Sequence, residues 1–408
     1  MINFYLAKIK SSPLGILWIV FSLILIGLIS LNSISVIDSQ SSSGAFKKQL
    51  IFLIPSIILM LGSLLLSKKF IHERIYYIYI ISIVFVSLPF LGNKVQGTYR
   101  WIDLGLPFNI QPSEAVKWIA IIALARFLSD RDKHITNFST IIYSLPLLLI
   151  PSIIVFNQPD LGTASVLLSP AIPMLYWAGA KPYHLFLMIA PFLSILSASN
   201  VIIFTIWIAM MALVIFAIRK HGWYGITIFF INIFLGLIFP LMWNSLRDYQ
   251  KNRVLTFINP ELDPLGAGYQ IIQSKTALGS GGLWGKGWGE GTQTQLKFLP
   301  VQESDFIVSV IGEELGFVAL FIMIFLFSIF MYRVLSLSLN ASDKFSSLIL
   351  IGISSIFLSH IFVNCAMVSG MMPVKGLPLP FISYGGSFLI SCFIMVGLIL
   401  NFGREKSY

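Results

Sequence analysis

The 408 residues are 57% hydrophobic and only 11% charged, where a soluble domain carries roughly a quarter charged residues, so one water-soluble core cannot absorb the apolar side chains. The net charge of +10 does not point to nucleic acid, because the basic residues stand singly or in pairs in short segments between apolar runs, the pattern that sets membrane topology. Cys365 and Cys392 sit inside apolar runs and the five histidines (72, 134, 184, 221, 360) show no ligand spacing, which speaks against a disulfide framework and a His or Cys metal site.

Twelve apolar runs approach the ~20 residues that a spanning helix needs. The first, 14–36, follows Lys8 and Lys10 and has no small-residue cleavage site after it. It reads as an uncleaved spanning helix, not a signal peptide. The others are 49–67, 75–93, 113–129, 140–156, 161–179, 183–196, 201–218, 223–243, 306–331, 345–366 and 383–402. Only Ser197-Ala198-Ser199-Asn200 divides the seventh from the eighth. With the N-terminus inside, the inner segments hold 14 Lys and Arg: Lys8, Lys10, Lys68, Lys69, Arg74, Arg131, Lys133, Lys181, Arg219, Lys220, Arg333, Lys344, Arg404 and Lys406. The short outer loops hold five: Lys47, Lys48, Lys94, Arg100 and Lys375. That bias predicts both termini in the cytoplasm. The expected fold is an all-α polytopic membrane protein, one integral membrane domain over 1–408. Its single large polar insertion, 244–305, is expected outside, and a structured loop of that length usually has a function.

Four polar clusters break the apolar background. The first runs from Gly97 to Gly105 through Arg100-Trp101 and on to Gln111-Pro112-Ser113-Glu114 and Lys117. Pro112 and Ser113 suit a helix start, and Glu114 and Lys117 share one helix face. They read either as a neutralised pair that anchors the helix end or as a charged wall of an outward-facing cavity. Gln158-Pro159-Asp160-Leu161-Gly162-Thr163 forms the second cluster. There Asp160 is a helix cap, or a carboxylate aimed into the same cavity or holding Lys117 or Arg100. The loop carries the third, Asp263-Pro264 to Tyr269 and the Gly-rich run Gly279 to Gly287 around Lys286. Asp-Pro favours a turn that presents its carboxylate. The Gly-rich run lacks phosphate-loop spacing, because Gly287 follows Lys286 where Ser or Thr is needed. No nucleotide is therefore expected, although a cradle for a diphosphate or sugar is. Asp305, Glu313-Glu314 and the run from Pro373 to Ser387 make the fourth. Three prolines in that run cannot continue a helix, so it is either a tight outer turn or a buried non-helical segment. With no Ser-His-Asp, CxxC or HExxH signature present, carboxylates, lysines and arginines remain for chemistry, and a carboxylate base ringed by cations suits a diphosphate leaving group.

In order along most of the chain, these clusters resemble the SEDS proteins (shape, elongation, division and sporulation). The resemblance rests on Arg100-Trp101, Gln111-Pro112-Ser113-Glu114, Gln158 to Thr163, Asp263-Pro264-Leu265-Gly266-Ala267-Gly268-Tyr269, Gly285-Lys286-Gly287, Phe298-Leu299-Pro300, Asp305-Phe306-Ile307, Glu313-Glu314-Leu315-Gly316 and Pro378 to Ser387. Gln273-Ser274-Lys275 and Gly279 to Gly282 are closer to the elongation branch, RodA, than to the division branch, FtsW. The resemblance implies a SEDS-type helical bundle in the bacterial cytoplasmic membrane that polymerises lipid II, the undecaprenyl-diphosphate-linked disaccharide-pentapeptide, into glycan strands. It also implies a class B penicillin-binding protein as partner. Asp263 matches the essential loop aspartate, the expected base. Arg100, Lys117 and Lys286 are the expected diphosphate contacts, with Glu114 and Asp160 orienting them or lining the cavity. A divalent cation, Mg or Mn, has a place at the diphosphate, with ligands that the sequence does not identify.

Several positions depart from the family pattern. Ten spans are usual, seven of them before the large loop, and the surplus here reads as an extra helical pair near 183–218. Val301 and Glu303 stand where the family has Glu and His, Lys375 where a small or apolar residue is common, and Phe388 where a second small one is common. A lipid II flippase and a non-catalytic scaffold for a penicillin-binding protein are the rival readings, and neither has an evident need for Asp263 as a base.

Overall fold

The computed structural model describes residues 12–37, 44–92, 98–103, 109–130, 135–217, 223–245, 251, 255–257, 259–264, 266 and 268–404. Lys8, Lys10, Lys94, Arg131, Lys133, Arg219, Lys220 and Lys406 of the charge count, and Gly97, Gly105, Leu265 and Ala267 of the motifs, lie outside them. The described residues are almost wholly helical, with one isolated antiparallel bridge, Ile102 to Ile110. The helices are α1 Gly15–Ile37, α2 Ala45–Leu65, α3 Lys68–Ser87, α4 Pro112–Asp130, α5 Phe138–Ser144, α6 Pro146–Asn157, α7 Leu161–Leu168, α8 Ala171–Ala178, α9 Pro182–Ser197, α10 Val201–Ala217, α11 Trp223–Ser245, α12 Tyr269–Ser280, α13 Thr292–Gln295, α14 Ile307–Leu339, α15 Lys344–Val368 and α16 Gly386–Phe402. Among the described residues eight helical segments are long and apolar enough to cross a membrane, and α9, α10 and α16 are shorter apolar helices.

Each of the twelve expected spans falls on a helix or a helix pair. Three are interrupted: 140–156 lies on α5 and α6, divided before Pro146, 161–179 on α7 and α8, divided at Pro170, and 306–331 on α14, which leaves helical geometry at Gly316. Proline removes a ladder donor and crowds the preceding turn, which hydrophobicity alone does not reveal. Beyond its break the tenth span continues to Leu339 as the second part of α14, because a helix ladder need not stop where the bilayer does.

Helices α2, α16, α4, α15, α14 and α1 enclose the main core. Close approach depends on small residues. A Cβ on Gly397 of α16 would meet the Met60 carbonyl of α2 at 2.3 Å, and one on Gly27 of α1 would meet the Ile382 backbone at 2.7 Å. Asn401 Nδ2 donates to the carbonyls of Ser63 (3.0 Å) and Leu66 (2.9 Å), and so satisfies the open end of α2. Helices α9 and α10, which cover the expected extra pair, join α11 in a unit with its own small core of Tyr183, Leu187, Ala190, Met211 and Ile215. A polar knot ties it: Trp207 Nε1 donates to Ser194 Oγ (2.7 Å), which donates to Asn232 Oδ1 (2.6 Å). The unit meets the main bundle along α8 and through Phe138, which stacks on Tyr224.

Candidate functional site

The bridge between Ile102 and Ile110 folds the segment ahead of α4 back on itself and carries Arg100 and Gln111 to Asp160. Asp160 caps α7 by accepting from the Thr163 amide (3.0 Å). It also accepts from Gln111 Nε2 (3.3 Å) and lies 3.6 Å from Arg100 Nε. The carboxylate is 3% exposed and the guanidinium side chain 28%, so Arg100 is the face of this pair that water reaches. It also donates to the Pro159 carbonyl. Cap and charge partner are thus one residue here, not alternatives. Asp305, half-buried just ahead of α14, faces the same pair. Burial pushes its carboxyl up, against a hydrogen bond from Ser304 and the Arg100 charge, and the Asp160 carboxylate adds to the rise.

One turn into α4, Glu114 and Lys117 form a buried ion pair at 2.8 Å. Lys117 is 1% exposed. Its Nζ also reaches His360 Nε2 of α15 (3.2 Å) and lies 5.1 Å from the Phe388 ring centre. The Nδ1 of His360 is 3.1 Å from the Pro378 carbonyl, which can only accept. Nδ1 therefore carries the proton and Nε2 accepts from Lys117. The chain Glu114, Lys117, His360, Pro378 joins α4 to the segment 373–385. That segment is a buried non-helical run, not an outer turn: Leu377, Leu379, Phe381, Ile382 and Ser383 are all buried. Side chains satisfy its backbone, as membrane depth requires. Asn364 Nδ2 donates to the Leu377 (2.7 Å) and Asp305 (3.0 Å) carbonyls, Ser383 Oγ accepts from the Leu379 amide (2.8 Å), and Gln49 Nε2 donates to the Ser383 carbonyl (3.3 Å). Beside Glu114 a cavity of about 210 Å³ opens between apolar walls that include Phe52, Phe85, Trp118, Ile390 and Ile394, with Gln111 also in its lining.

Lys286 belongs to a different cluster. Its Nζ is 2.8 Å from Glu313 and 2.7 Å from Thr292 Oγ1. Glu313 also accepts from the amides of Gln293 (2.9 Å) and Thr294 (3.0 Å). The Gly-rich run is packed against a break in α14, where Gly316 stands at φ +77°. Its backbone restores the lost ladder. Phe317 and Val318 amides donate to the Gly282 (2.9 Å) and Leu283 (3.1 Å) carbonyls, and the Lys286 and Gly287 amides donate to the Glu313 (2.9 Å) and Glu314 (3.0 Å) carbonyls. A strap across a helix break explains those glycines without a ligand cradle.

Asp263 ends a 3₁₀ turn, Pro260–Leu262, ahead of α12. Its carbonyl accepts from the Gly268 amide (3.0 Å). A Cβ on Gly266 would come within 2.2 Å of its carboxylate, and one on Gly268 within 2.2 Å of the Pro260 carbonyl. These two glycines let the turn close around the aspartate, which is half-buried. Among the described residues no three His, Cys, Asp or Glu side chains converge as metal ligands.

Reasoning from sequence missed His360, Asn364 and Gln49. The first two were readable as polar residues four apart on one face of an apolar span, where such residues are expensive and normally turn inward.

The chain matches the family FTSW_RODA_SPOVE, described as "Cell cycle protein", over residues 15–207 and 192–408. It belongs to that family. Among similar proteins, the "Peptidoglycan glycosyltransferase MrdB" of Escherichia coli strain K12 is 35% identical over 332 residues, 81% of this chain and 78% of the relative. The "Peptidoglycan glycosyltransferase RodA" of Treponema pallidum is 30% identical over 428 residues, 94% of this chain and 97% of the relative. A solved chain from work titled "Structural coordination of polymerization and crosslinking by a peptidoglycan synthase complex" superposes with a TM-score of 0.70 at 25% identity, covering 96% of this chain and 98% of that one. The FtsW/RodA/SpoVE assignment agrees with the all-helical membrane fold and with the order of the polar clusters along the chain.

Proposed function

We propose that this FtsW/RodA/SpoVE protein is a peptidoglycan glycosyltransferase of cell elongation that polymerises lipid II into glycan strands in the bacterial cytoplasmic membrane, with both termini inside. The observation that carries the reading is the match, along most of the chain, to relatives named for that activity. Asp263 takes the proton of the acceptor sugar's 4-hydroxyl. That oxygen attacks the donor's anomeric carbon, the carbon–oxygen bond to the diphosphate breaks, and undecaprenyl diphosphate leaves. Arg100, the half-buried cation of the outer cluster, meets the negative charge that grows on the diphosphate. Asp160 fixes Arg100. Lys117 is too buried to touch substrate from its observed position, so it and Glu114 act as positioning residues that hold α4 against the segment 373–385. Lys286 supports the loop through Glu313. The apolar cavity beside Glu114 suits the lipid's hydrocarbon chain. A class B penicillin-binding protein is the partner that crosslinks the product.

Purified protein with lipid II in detergent tests this beside Asp263→Asn. Polymer from the parent and none from an equally folded variant supports both enzyme and base. Polymer from both keeps the enzyme and removes Asp263 from its role. No polymer from either, with the transpeptidase added, overturns the glycosyltransferase reading.

A further inference from the structure

Lys375 lies in the non-helical run between α15 and α16, where the family commonly has a small or apolar residue. Its amide donates to Met367 Sδ of α15 (3.3 Å). Its carbonyl approaches α7 so closely that a Cβ on Gly162 would stand 2.7 Å from it. A Cβ on the next residue, Gly376, would stand 3.3 Å from Asp305 Oδ2. The backbone of Lys375 is therefore fixed between the helix that Asp160 caps and Asp305. Its side chain is half-buried, and the ammonium has no hydrogen bond or ion pair among the described residues. Taking a charge even partly out of water without a partner is costly. The carboxylates of the outer cluster are engaged elsewhere. Asp160 accepts from Gln111 and the Thr163 amide and faces Arg100 at 3.6 Å, and Asp305 accepts from Ser304 Oγ (3.0 Å).

The same charges bear on Arg100. With Asp160 beside it, Arg100 belongs to a pair whose charges cancel, and Asp305 adds no positive charge. A diphosphate ester is doubly ionised and gains a further negative oxygen as it leaves, so that pair alone offers it donors but little net attraction. Lys375 is the cation beside the cluster that nothing neutralises. Its ammonium is a point charge on a flexible four-carbon stem, which can follow the charge as it shifts onto the departing phosphate. We propose that Lys375 is a substrate-contacting cation that acts with Arg100 on the lipid-linked diphosphate and gives the site its preference for a diphosphate over a monophosphate. The proposal rests on the lipid II reading and adds a residue to that site.

Full-length protein in detergent is titrated with undecaprenyl diphosphate and with undecaprenyl monophosphate, followed by tryptophan fluorescence. The parent is expected to prefer the diphosphate. Lys375→Gln is expected to bind the diphosphate about tenfold more weakly, the loss of one charge-assisted contact, and to lose most of that preference. Lys375→Arg, which keeps the charge, is expected to stay within about threefold of the parent. Because the ammonium holds no partner in the fold, Lys375→Gln is expected to unfold at no lower denaturant concentration than the parent. Diphosphate binding by Lys375→Gln equal to the parent's, or an equal loss in Lys375→Arg, overturns the proposal. So does a clear loss of stability in Lys375→Gln, which would mark a structural lysine. Phosphatidylglycerol that displaces the diphosphate at equal concentration assigns Lys375 to lipid headgroups and also overturns it. Binding is read without turnover. A parent that binds through Lys375 yet makes no polymer from lipid II leaves this assignment standing and sinks the glycosyltransferase reading alone.

Discussion

Replacing Lys117 by methionine keeps its length and removes its charge. Glu114, 5% exposed, then holds a buried carboxylate with no cation, and His360 Nε2 loses the donor at 3.2 Å. Breaking a buried ion pair from one side costs about 3–5 kcal/mol. Removing both charges, in Glu114→Met with Lys117→Met, deletes the stranded carboxylate. What remains is the unpaired His360 nitrogen, worth about 1–3 kcal/mol. The single variant is therefore expected to be less stable than the double by roughly 2 kcal/mol, the difference of those two ranges. Denaturant unfolding in detergent, followed by tryptophan fluorescence, reads both values. A single variant within about 1 kcal/mol of the parent, or a double variant no better than the single, refutes the view that Lys117 is first a neutralising partner. Glycan polymerisation by the double variant adds the functional half. If Lys117 only positions α4, activity survives wherever the fold does.

Asp160→Asn should lower stability by about 1–3 kcal/mol, since the cap hydrogen bond persists in weakened form while the Arg100 charge loses its partner; chemical unfolding checks this, and a neutral result sinks the paired role. Gly316→Ala should cost at least ~3 kcal/mol, because positive φ is strained in itself and the new Cβ would sit 2.2 Å from the Gly285 nitrogen. Gly282→Ala, at φ +58° with nothing within 4 Å, should cost only about 1–2 kcal/mol. Thermal unfolding of the two ranks them, and the reverse order refutes the strap. Asp305, whose carboxyl is raised mainly by burial, favours the protonated folded form. Its stabilising contribution is complete below the unfolded value near ~3.9 and is lost as pH rises through the higher folded value. Asp305→Asn should flatten stability against pH in that window, and an unchanged slope would contradict the assignment.

The spans were legible in the sequence because the bilayer imposes a length of ~20 apolar residues that composition alone exposes. All twelve runs fall on helices or helix pairs for that reason. The breaks at Pro146 and Pro170 left no mark in hydrophobicity. Residue types at the site were legible too, since charges in apolar surroundings are conspicuous. Pairings were less so. Asp160 was offered Lys117 or Arg100 as partner, and only the fold-back at Ile102 and Ile110 decides for Arg100. The resemblance places Lys286 among the diphosphate contacts, within a Gly-rich run that also reads as a ligand cradle. Those glycines answer to Gly316, some thirty residues on, and nothing local announces that a helix will break there. His360 was judged on spacing to other histidines, while its real partners are a lysine and a backbone carbonyl.

Two irregular segments, the Gly-rich strap and the run 373–385, meet a common demand by different means. Backbone that leaves a helix among apolar surroundings must find partners for every N–H and C=O. Glycines let one chain lie close enough to α14 to supply backbone partners directly. Prolines in the other segment remove donors, and Asn364, Ser383, His360 and Gln49 serve much of what remains. The second solution has a consequence for chemistry. Three of those side chains also touch something else: Asn364 the Asp305 carbonyl, Ser383 the Ser304 carbonyl, His360 the lysine beside Glu114. The segment is thereby joined at three points to the residues around Arg100.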